Sequence, residues 1–329
     1  MNHSNPDPRL CIVGAGQLST ARIYPYIGAA GAQIVGVCDL DPEKAERNAR
    51  RFGGKPYRDL EGMLAEQKPD GLVVCIGPEA HATVAKQALK LGYPVYTEKP
   101  PAVSSADALE VARSARKAGL LCTTAFKKRY SLAYVRAKQW IEQRPADELL
   151  SLSFDYCSAA YDNKPPRTLL NDFCIHVIDV TLYLFGDVES VFAFTKDHHA
   201  YAVSLRFANG AVGTLNMNDG RSFAIPTEEL EITARGGCFM TVRNSSAWRI
   251  TENNQPSEWR EPPTFTSLGD SGRDTGHLAE IEDFVAALRE GRRTTRSDIY
   301  ESYKTMVLYE AIKRAAESAE VVKVRYEAI

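Results

Sequence analysis

The sequence predicts an α/β chain of two domains: an N-terminal doubly wound parallel sheet, then a second α/β domain whose sheet is mostly antiparallel. Three observations carry this. Over residues 1–126, short runs rich in Val, Ile and Leu alternate with helix-like stretches, the pattern of parallel strands covered on both faces. After residue 126, strand follows strand with hairpin signals between them. The length of 329 residues is that of about two domains.

The first-domain strands are the runs LCIVGAG, AQIVGVCD, DGLVVCIG, PVYTEKP and LLCTTAF. Between them lie DPEKAERNARRF, HATVAKQALKLG and SSADALEVARSARKAG. Asp41 and Ser104 are placed to cap helix starts, and Gly92 and Gly119 to end helices. Beyond residue 126 come a helix in YSLAYVRAKQWIEQR, the strand LLSLSFDYC, the loop SAAYDNKPPRT and the apolar helix NDFCIHVIDVTLYLFG. Six strand-like runs follow from residue 188, with turns at Asn209-Gly210 and Gly236-Gly237. Two helices, HLAEIEDFVAALREG and DIYESYKTMVLYEAIKRAAESAE, close the chain. The expected domains are 1–126, binding a dinucleotide, and 127–329, binding substrate and making the oligomer contact, with a C-terminal helix packing back on the first.

Composition narrows the function classes. A net charge of −2 with scattered charges argues against a nucleic-acid binder. No run approaches the roughly 18 apolar residues of a membrane span, and the N-terminus lacks the apolar region of a secretory signal. The seven cysteines form no CxxC pair, and Cys11, Cys38, Cys75 and Cys122 lie inside strand-like runs. That pattern fits buried free thiols in a reducing, cytoplasmic compartment, with neither a disulfide framework nor a metal site.

Gly14-Ala15-Gly16-Gln17-Leu18-Ser19 follows the first strand and opens a helix. The first glycine permits a tight turn, the second lets backbone approach a pyrophosphate, and Ser19 is small enough for helix–sheet packing. Asp39 ends the second strand, where its carboxylate can accept from ribose hydroxyls and repel a 2′-phosphate. NAD is therefore expected, and NADP disfavoured. Gly77, Pro78 and His81 follow another strand's carboxyl end, where open α/β sheets bind ligands. His81 either meets the nicotinamide side of the cofactor or caps the next helix.

YTEKPPAV, residues 96–103, places Glu98 and Lys99 at a strand end. Pro100 and Pro101 forbid the chain from continuing as helix and bias Lys99 away from it. In the helix NDFCIHVIDVTLYLFG, Asp172, His176, Asp179 and Tyr183 recur at i, i+4, i+7 and i+11, one polar stripe on an otherwise apolar helix. Burying such groups without partners costs several kcal/mol. The stripe needs a ligand cavity or an internal network in which Asp172 caps the helix and Asp179 orients His176. A desolvated lysine and a histidine near a carboxylate can each be tuned toward neutral pKa.

Taken in order, these parts resemble the glucose–fructose oxidoreductase / inositol dehydrogenase (Gfo/Idh/MocA) family over essentially the whole chain. The resemblance rests on the GxGxx turn, Asp39, Pro78 to His81, Glu98-Lys99-Pro100, and the D-x-x-x-H-x-x-D of Asp172, His176 and Asp179. It implies a Rossmann domain and an α/β domain with a large open sheet, whose outer face joins copies into a homodimer or homotetramer. It implies an NAD-dependent oxidation of a secondary hydroxyl on a sugar, a cyclitol or a sugar derivative. In that reading His176 takes the hydroxyl proton, Lys99 hydrogen-bonds the same oxygen and stabilises developing charge or shares the proton relay, and Asp172 orients His176 or holds a neighbouring hydroxyl. Two other readings are an NAD-dependent glycosidase with transient internal oxidation and a non-catalytic regulator that binds NAD and sugar.

The sequence departs from its relatives around Asp172. Thr168, Leu169, Leu170 and Asn171 precede it and Phe173-Cys174-Ile175 follow, where relatives often carry glycines. The pocket's shape is expected to differ accordingly. Substrate selection is expected from loop 158–170, with Tyr161, Lys164 and Arg167, and from Arg129 and Tyr130. The cluster Lys127, Lys128, Arg129 and Tyr130 is positive enough for an acidic sugar, although a solvated surface cluster is the simpler reading.

Overall fold

The structure is a computed structural model. It describes residues 6–159, 168–222, 224, 227–261 and 272–329. The chain divides into two compact units, the first holding residues 1–127 and 276–303 and the second 128–275 and 304–328.

The first unit contains β1 (Arg9–Val13), α1 (Gln17–Arg22), α2 (Tyr24–Ala29), β2 (Gln33–Cys38), α3 (Pro42–Phe52) and β3 (Lys55–Tyr57). It continues with α4 (Leu60–Gln67), β4 (Gly71–Val74), α5 (Pro78–Lys90), β5 (Val95–Thr97), α6 (Ser105–Ala118) and β6 (Cys122–Thr124). The strands form one parallel sheet in the order β3-β2-β1-β4-β5-β6. The order reverses between β1 and β4, the switch point beside which such sheets bind their ligands. Local signals set the helix limits. The Asp41 side chain accepts from the Glu43 amide to start α3, and Ser104 accepts from the Asp107 amide to start α6. Gly119 ends α6 at φ 66°, a conformation that costs glycine little.

The second unit begins with α7 (Leu132–Glu142) and β7 (Leu149–Cys157), then α8 (Ile175–Phe185) and β8 (Val188–Lys196). The strands β9 (Ala200–Phe207), β10 (Val212–Asn218), β11 (Thr227–Ala234), β12 (Cys238–Arg243), β13 (Ala247–Glu252) and β14 (Gln255–Arg260) follow. After α9 (His277–Glu290) and α10 (Ile299–Ser318), β15 (Val322–Lys323) completes the sheet. Its order is β14-β13-β12-β11-β7-β10-β9-β8-β15. Only β7 and β10 run parallel; the other pairs are antiparallel. Along β9, Tyr201, Val203, Leu205 and Phe207 are buried while the residues between them are not, the period-2 signature of a sheet with one covered face.

The second domain expected over 127–329 is not one continuous stretch. Residues 276–303 belong to the first unit, because α9 buries Ile281, Phe284 and Val285 in the core that holds Leu10, Ile12 and Tyr96. The helix expected from residue 171 is also two pieces. A π-helical turn, Leu169–Phe173, precedes α8, and the Cys174 amide donates to the Leu169 carbonyl five residues back at 2.9 Å. Among the described residues no helix is long and apolar enough to cross a membrane. All seven cysteines are free and buried.

Candidate active site

In the first unit the β1–α1 turn is built around Gly14. Its φ is +103°, and a Cβ there would stand 1.9 Å from the Cys75 carbonyl oxygen, so no other residue fits. A Cβ on Gly16 would meet nothing within 4 Å, leaving open space over the backbone that opens α1 at Gln17 and Leu18. Leu18 is half exposed, and Ser19 is buried with its hydroxyl on the Gly16 carbonyl at 3.1 Å. Asp39 is held from two sides: one oxygen accepts from the Ala15 amide at 2.7 Å and the other from the Asp41 amide at 2.9 Å. The carboxylate at the end of β2 is thus fixed against the glycine turn before any ligand arrives.

Sequence reasoning missed the supports of this turn. Arg47, on α3, donates to the Ala15 carbonyl at 3.0 Å, and the Tyr24 hydroxyl donates to the Gly14 carbonyl at 3.1 Å. Asn48 is fully buried and donates to the Thr20 hydroxyl at 2.7 Å. No local motif marks them, because each acts across more than one element.

His81 does not cap the next helix. It lies in α5, which starts at Pro78 after the N-cap Gly77. Its ring is buried, with Nδ1 2.7 Å from the Pro100 carbonyl and Nε2 3.0 Å from the Ile76 carbonyl. It ties the strand end of β4 to the turn after β5. Burial lowers its pKa below the ordinary histidine value, and the two carbonyls oppose that shift.

The Glu98-Lys99 strand end is held in the ladder. The Glu98 amide donates to the Val74 carbonyl at 2.8 Å, and the Lys99 amide donates to the Glu98 Oε2 at 3.0 Å. The Lys99–Pro100 peptide is cis. Lys99 and Glu98 are both half-buried.

In the second unit the polar stripe separates into two parts. Asp172 lies in the π-helical turn and His176 one residue into α8, both half-buried. Single π-turns inserted in α-helices recur at functional sites. Asp179 is fully buried. It forms a bidentate ion pair with Arg129, Nε to Oδ2 at 2.9 Å and Nη2 to Oδ1 at 2.8 Å, and accepts from the Thr305 hydroxyl at 3.0 Å. Tyr183 lies beneath the guanidinium, 5.5 Å from its ring centroid.

This corrects two expectations for the basic cluster. Arg129, 2 % exposed, is the counter-ion of Asp179 and presents no surface to a substrate, and Tyr130 is buried beside it in sequence. Nor is the cluster a solvated surface. Lys128 is buried and donates to Glu228 at 2.6 Å and to Ser245 at 3.1 Å. Burial pushes the Glu228 carboxyl up, but Lys128, with Ser245 and Tyr134, outweighs it and holds the pKa below the ordinary glutamate value. Phe173, beside Asp172, stacks on Tyr156 at 4.2 Å. The bulky residue in the stretch where relatives often carry glycine was its only sequence signal. Tyr161, Lys164 and Arg167 lie outside the described residues.

Two family models match the chain. The Gfo/Idh/MocA "Oxidoreductase family, NAD-binding Rossmann fold" matches residues 9–126, and its "C-terminal alpha/beta domain" matches residues 161–324. D-glucoside 3-dehydrogenase of Escherichia coli strain K12 is 28 % identical, over 94 % of this chain and 95 % of the relative. The 4-carboxy-2-hydroxymuconate-6-semialdehyde dehydrogenase of Sphingobium sp. strain SYK-6 is 25 % identical, over 88 % of this chain and 93 % of the relative. Among solved structures, levoglucosan dehydrogenase in complex with NADH and levoglucosan superposes with a TM-score of 0.84 at 20 % identity, covering 97 % of this chain and 99 % of that one.

Proposed function

The chain belongs to the Gfo/Idh/MocA oxidoreductase family, and on that premise we propose that it is an NAD-dependent dehydrogenase oxidising a secondary hydroxyl of a sugar, a cyclitol or a sugar derivative. Relatives named for sugars and inositols, D-apiose dehydrogenase and inositol 2-dehydrogenase among them, support the substrate class. The observation that carries the reading is the coexistence of a built cofactor turn, with Asp39 fixed at its ribose end, and the trio Lys99, Asp172 and His176. A protein that only binds NAD and sugar has no use for all three.

Oxidising a carbinol removes a proton from oxygen and a hydride from carbon. Nicotinamide supplies the hydride acceptor when bound. His176 takes the proton as general base from its half-buried place at the start of α8. Lys99 hydrogen-bonds the same oxygen and stabilises the charge that develops there. Asp172, in the turn before His176, orients the imidazole or holds a neighbouring hydroxyl. Seven buried free thiols support a reducing, cytoplasmic setting.

The test is reduced-nicotinamide absorbance with NAD or NADP and a panel of inositols, aldoses, uronic acids and glycosides. Net NADH with one substrate class is expected. Lys99→Met and His176→Ala should each lower turnover by about 10²-fold or more while still binding NADH. Full turnover in either variant would remove that residue from the mechanism. A glycoside cleaved without net NADH would turn the reading to the internal-redox glycosidase.

A further inference from the structure

One polar side chain of α3 bears on the cofactor turn from inside the core, where no ligand reaches it. Asn48 has no exposed surface. Its Nδ2 donates to the Thr20 hydroxyl at 2.7 Å, and its Oδ1 accepts from the Arg47 Nε at 3.4 Å. Both partners grip the turn. Arg47 donates from Nη2 to the Ala15 carbonyl at 3.0 Å, and the Thr20 hydroxyl donates to the Gly16 carbonyl at 2.7 Å, with a longer approach to Ala15 at 3.5 Å. The donor count fixes these directions. A hydroxyl has one proton, and Thr20 gives it to backbone oxygen, so Thr20 accepts from Asn48. Asn48 therefore turns its NH2 to Thr20 and its oxygen to Arg47, which can only donate.

A trans peptide unit points its C=O and its N–H in opposite directions. Three consecutive units form the turn, and none is cis. In the unit joining Gly14 and Ala15 both ends are held, the carbonyl by the Tyr24 hydroxyl at 3.1 Å and the amide by Asp39 at 2.7 Å. In the next two units the carbonyls are held on the protein side. Ala15 takes Arg47, and Gly16 takes the Thr20 hydroxyl together with the Ser19 hydroxyl and the Thr20 amide, both at 3.1 Å. The Gly16 and Gln17 amides, at the far ends of those units, thus point away from the protein. Neither donates to a backbone carbonyl among the described residues, and a Cβ on Gly16 would meet nothing within 4 Å. Two adjacent outward amides suit the oxygens of a pyrophosphate.

We propose that Asn48 is a positioning residue for the cofactor pyrophosphate: it holds Arg47 and Thr20 on the Ala15 and Gly16 carbonyls, and so keeps the Gly16 and Gln17 amides aimed at the ligand. Asn48 touches neither substrate nor cofactor. The inference rests on the reading of this turn as the NAD site and adds to it a residue on another helix. Its effect is confined to ligands that carry a pyrophosphate. Arg47 is exposed, so its own substitution would mix direct and indirect contacts; Asn48 and Thr20 isolate the indirect one.

The experiment measures dissociation constants of NADH, ADP-ribose and adenosine, with melting temperatures, for Asn48→Leu, Asn48→Asp, Thr20→Val and Thr20→Ser. Adenosine reaches the Asp39 end of the site and has no pyrophosphate. Leucine fills the volume of asparagine and makes neither bond. Aspartate keeps the acceptor for Arg47 but draws the Thr20 proton away from the Gly16 carbonyl. These two variants and Thr20→Val are expected to lose at least tenfold in affinity for NADH and ADP-ribose, and to bind adenosine within about threefold of the parent. Thr20→Ser keeps the hydroxyl and is expected within about threefold for all three ligands. If the Asn48 variants unfold, the valine and serine variants of Thr20 still read the same arm with the core intact. A merely structural role weakens the three ligands together as the melting temperature falls, and that pattern would overturn the proposal. Variants that match a parent binding all three ligands would overturn it alone. A parent that binds neither NADH nor ADP-ribose would overturn the cofactor reading and the proposal with it.

Discussion

Arg129 and Asp179 form a bidentate ion pair 50 residues apart in sequence, with both side chains buried. The pair anchors α8 one turn after His176, so it sets the axis on which the proposed base stands. Thr305 adds a third contact, to the same Asp179 oxygen that receives the Arg129 Nη2. Breaking a buried pair by removing one partner costs about 3–5 kcal/mol, because the other charge is left uncompensated. Asp179→Ala is therefore expected to lower the urea midpoint sharply. The double variant Arg129→Met/Asp179→Leu is expected to recover most of the loss, since no charge is stranded. A double variant as unstable as the single would show that the pair contributes more than mutual neutralisation.

A second buried pair makes stability depend on pH. Glu228 is held below the ordinary glutamate value because Lys128, Ser245 and Tyr134 together outweigh its burial. A carboxyl whose folded pKa lies below its unfolded value adds stability above the unfolded value, near 4.5, and loses it as pH falls through the folded one. Urea midpoints are therefore expected to be flat in this contribution above about pH 5 and to fall below it. Glu228→Gln is expected to cost about 3 kcal/mol at pH 7, a cost that shrinks on acidification. An unchanged pH dependence in the variant would assign the acid sensitivity elsewhere.

Cofactor choice rests on the Asp39 charge. Its two oxygens are already committed to the Ala15 and Asp41 amides, so the group cannot swing away from an incoming 2′-phosphate. Asp39→Asn keeps an acceptor and removes the charge. A hydrogen bond to a charged group is worth about 1.5–3 kcal/mol. NAD affinity is expected to fall by about tenfold or more, and the preference over NADP to narrow by at least as much. Arg47, which donates to the Ala15 carbonyl at the same turn, then stands as a cation for the phosphate. An unaltered NAD-to-NADP ratio in equilibrium titration would move the discrimination to another residue.

How much of this was legible follows the range of each interaction. The glycine turn at Gly14, the caps at Asp41 and Ser104 and the helix stop at Gly119 are local chemistry, and the sequence displays them. The short β3 and the helix α4 escaped, because three residues and two turns leave little periodicity. The stripe of Asp172, His176, Asp179 and Tyr183 was visible as a pattern, but the partner that makes Asp179 structural lies on another segment. Lys128, whose partner Glu228 is 100 residues away, looked like surface charge for the same reason. The π-helical turn adds one residue to the hydrogen-bond ladder without changing which residues are apolar, so no spacing rule reveals it. Asn48 gave no signal at all, since one asparagine in a charged helix looks solvated until its neighbours are known.

The second sheet leads to a prediction about assembly. Cross-strand register places Trp259, Arg249 and Thr241 in one row across β14, β13 and β12, and Phe239, Thr233, Ser151 and Val212 in another across β12, β11, β7 and β10. The two rows share a face, because their members alternate by two along each strand. That face leaves Trp259 67 % and Phe194 60 % exposed, with Val212 and Phe239 also exposed. Large apolar side chains exposed on one broad face are what an association surface needs. A nine-stranded sheet offers ample room for the roughly 800 Å² per partner of a standard interface. A twofold axis would bring the same residues of two copies together, so one substitution strikes the interface twice. Light scattering after size exclusion is expected to give twice or four times the chain mass. Trp259→Glu with Phe239→Glu is expected to give the single chain with an unaltered circular dichroism spectrum. A parent protein that runs as a monomer at micromolar concentration would leave the face to some other partner, and a charged variant that stays associated would place the contact elsewhere on the chain.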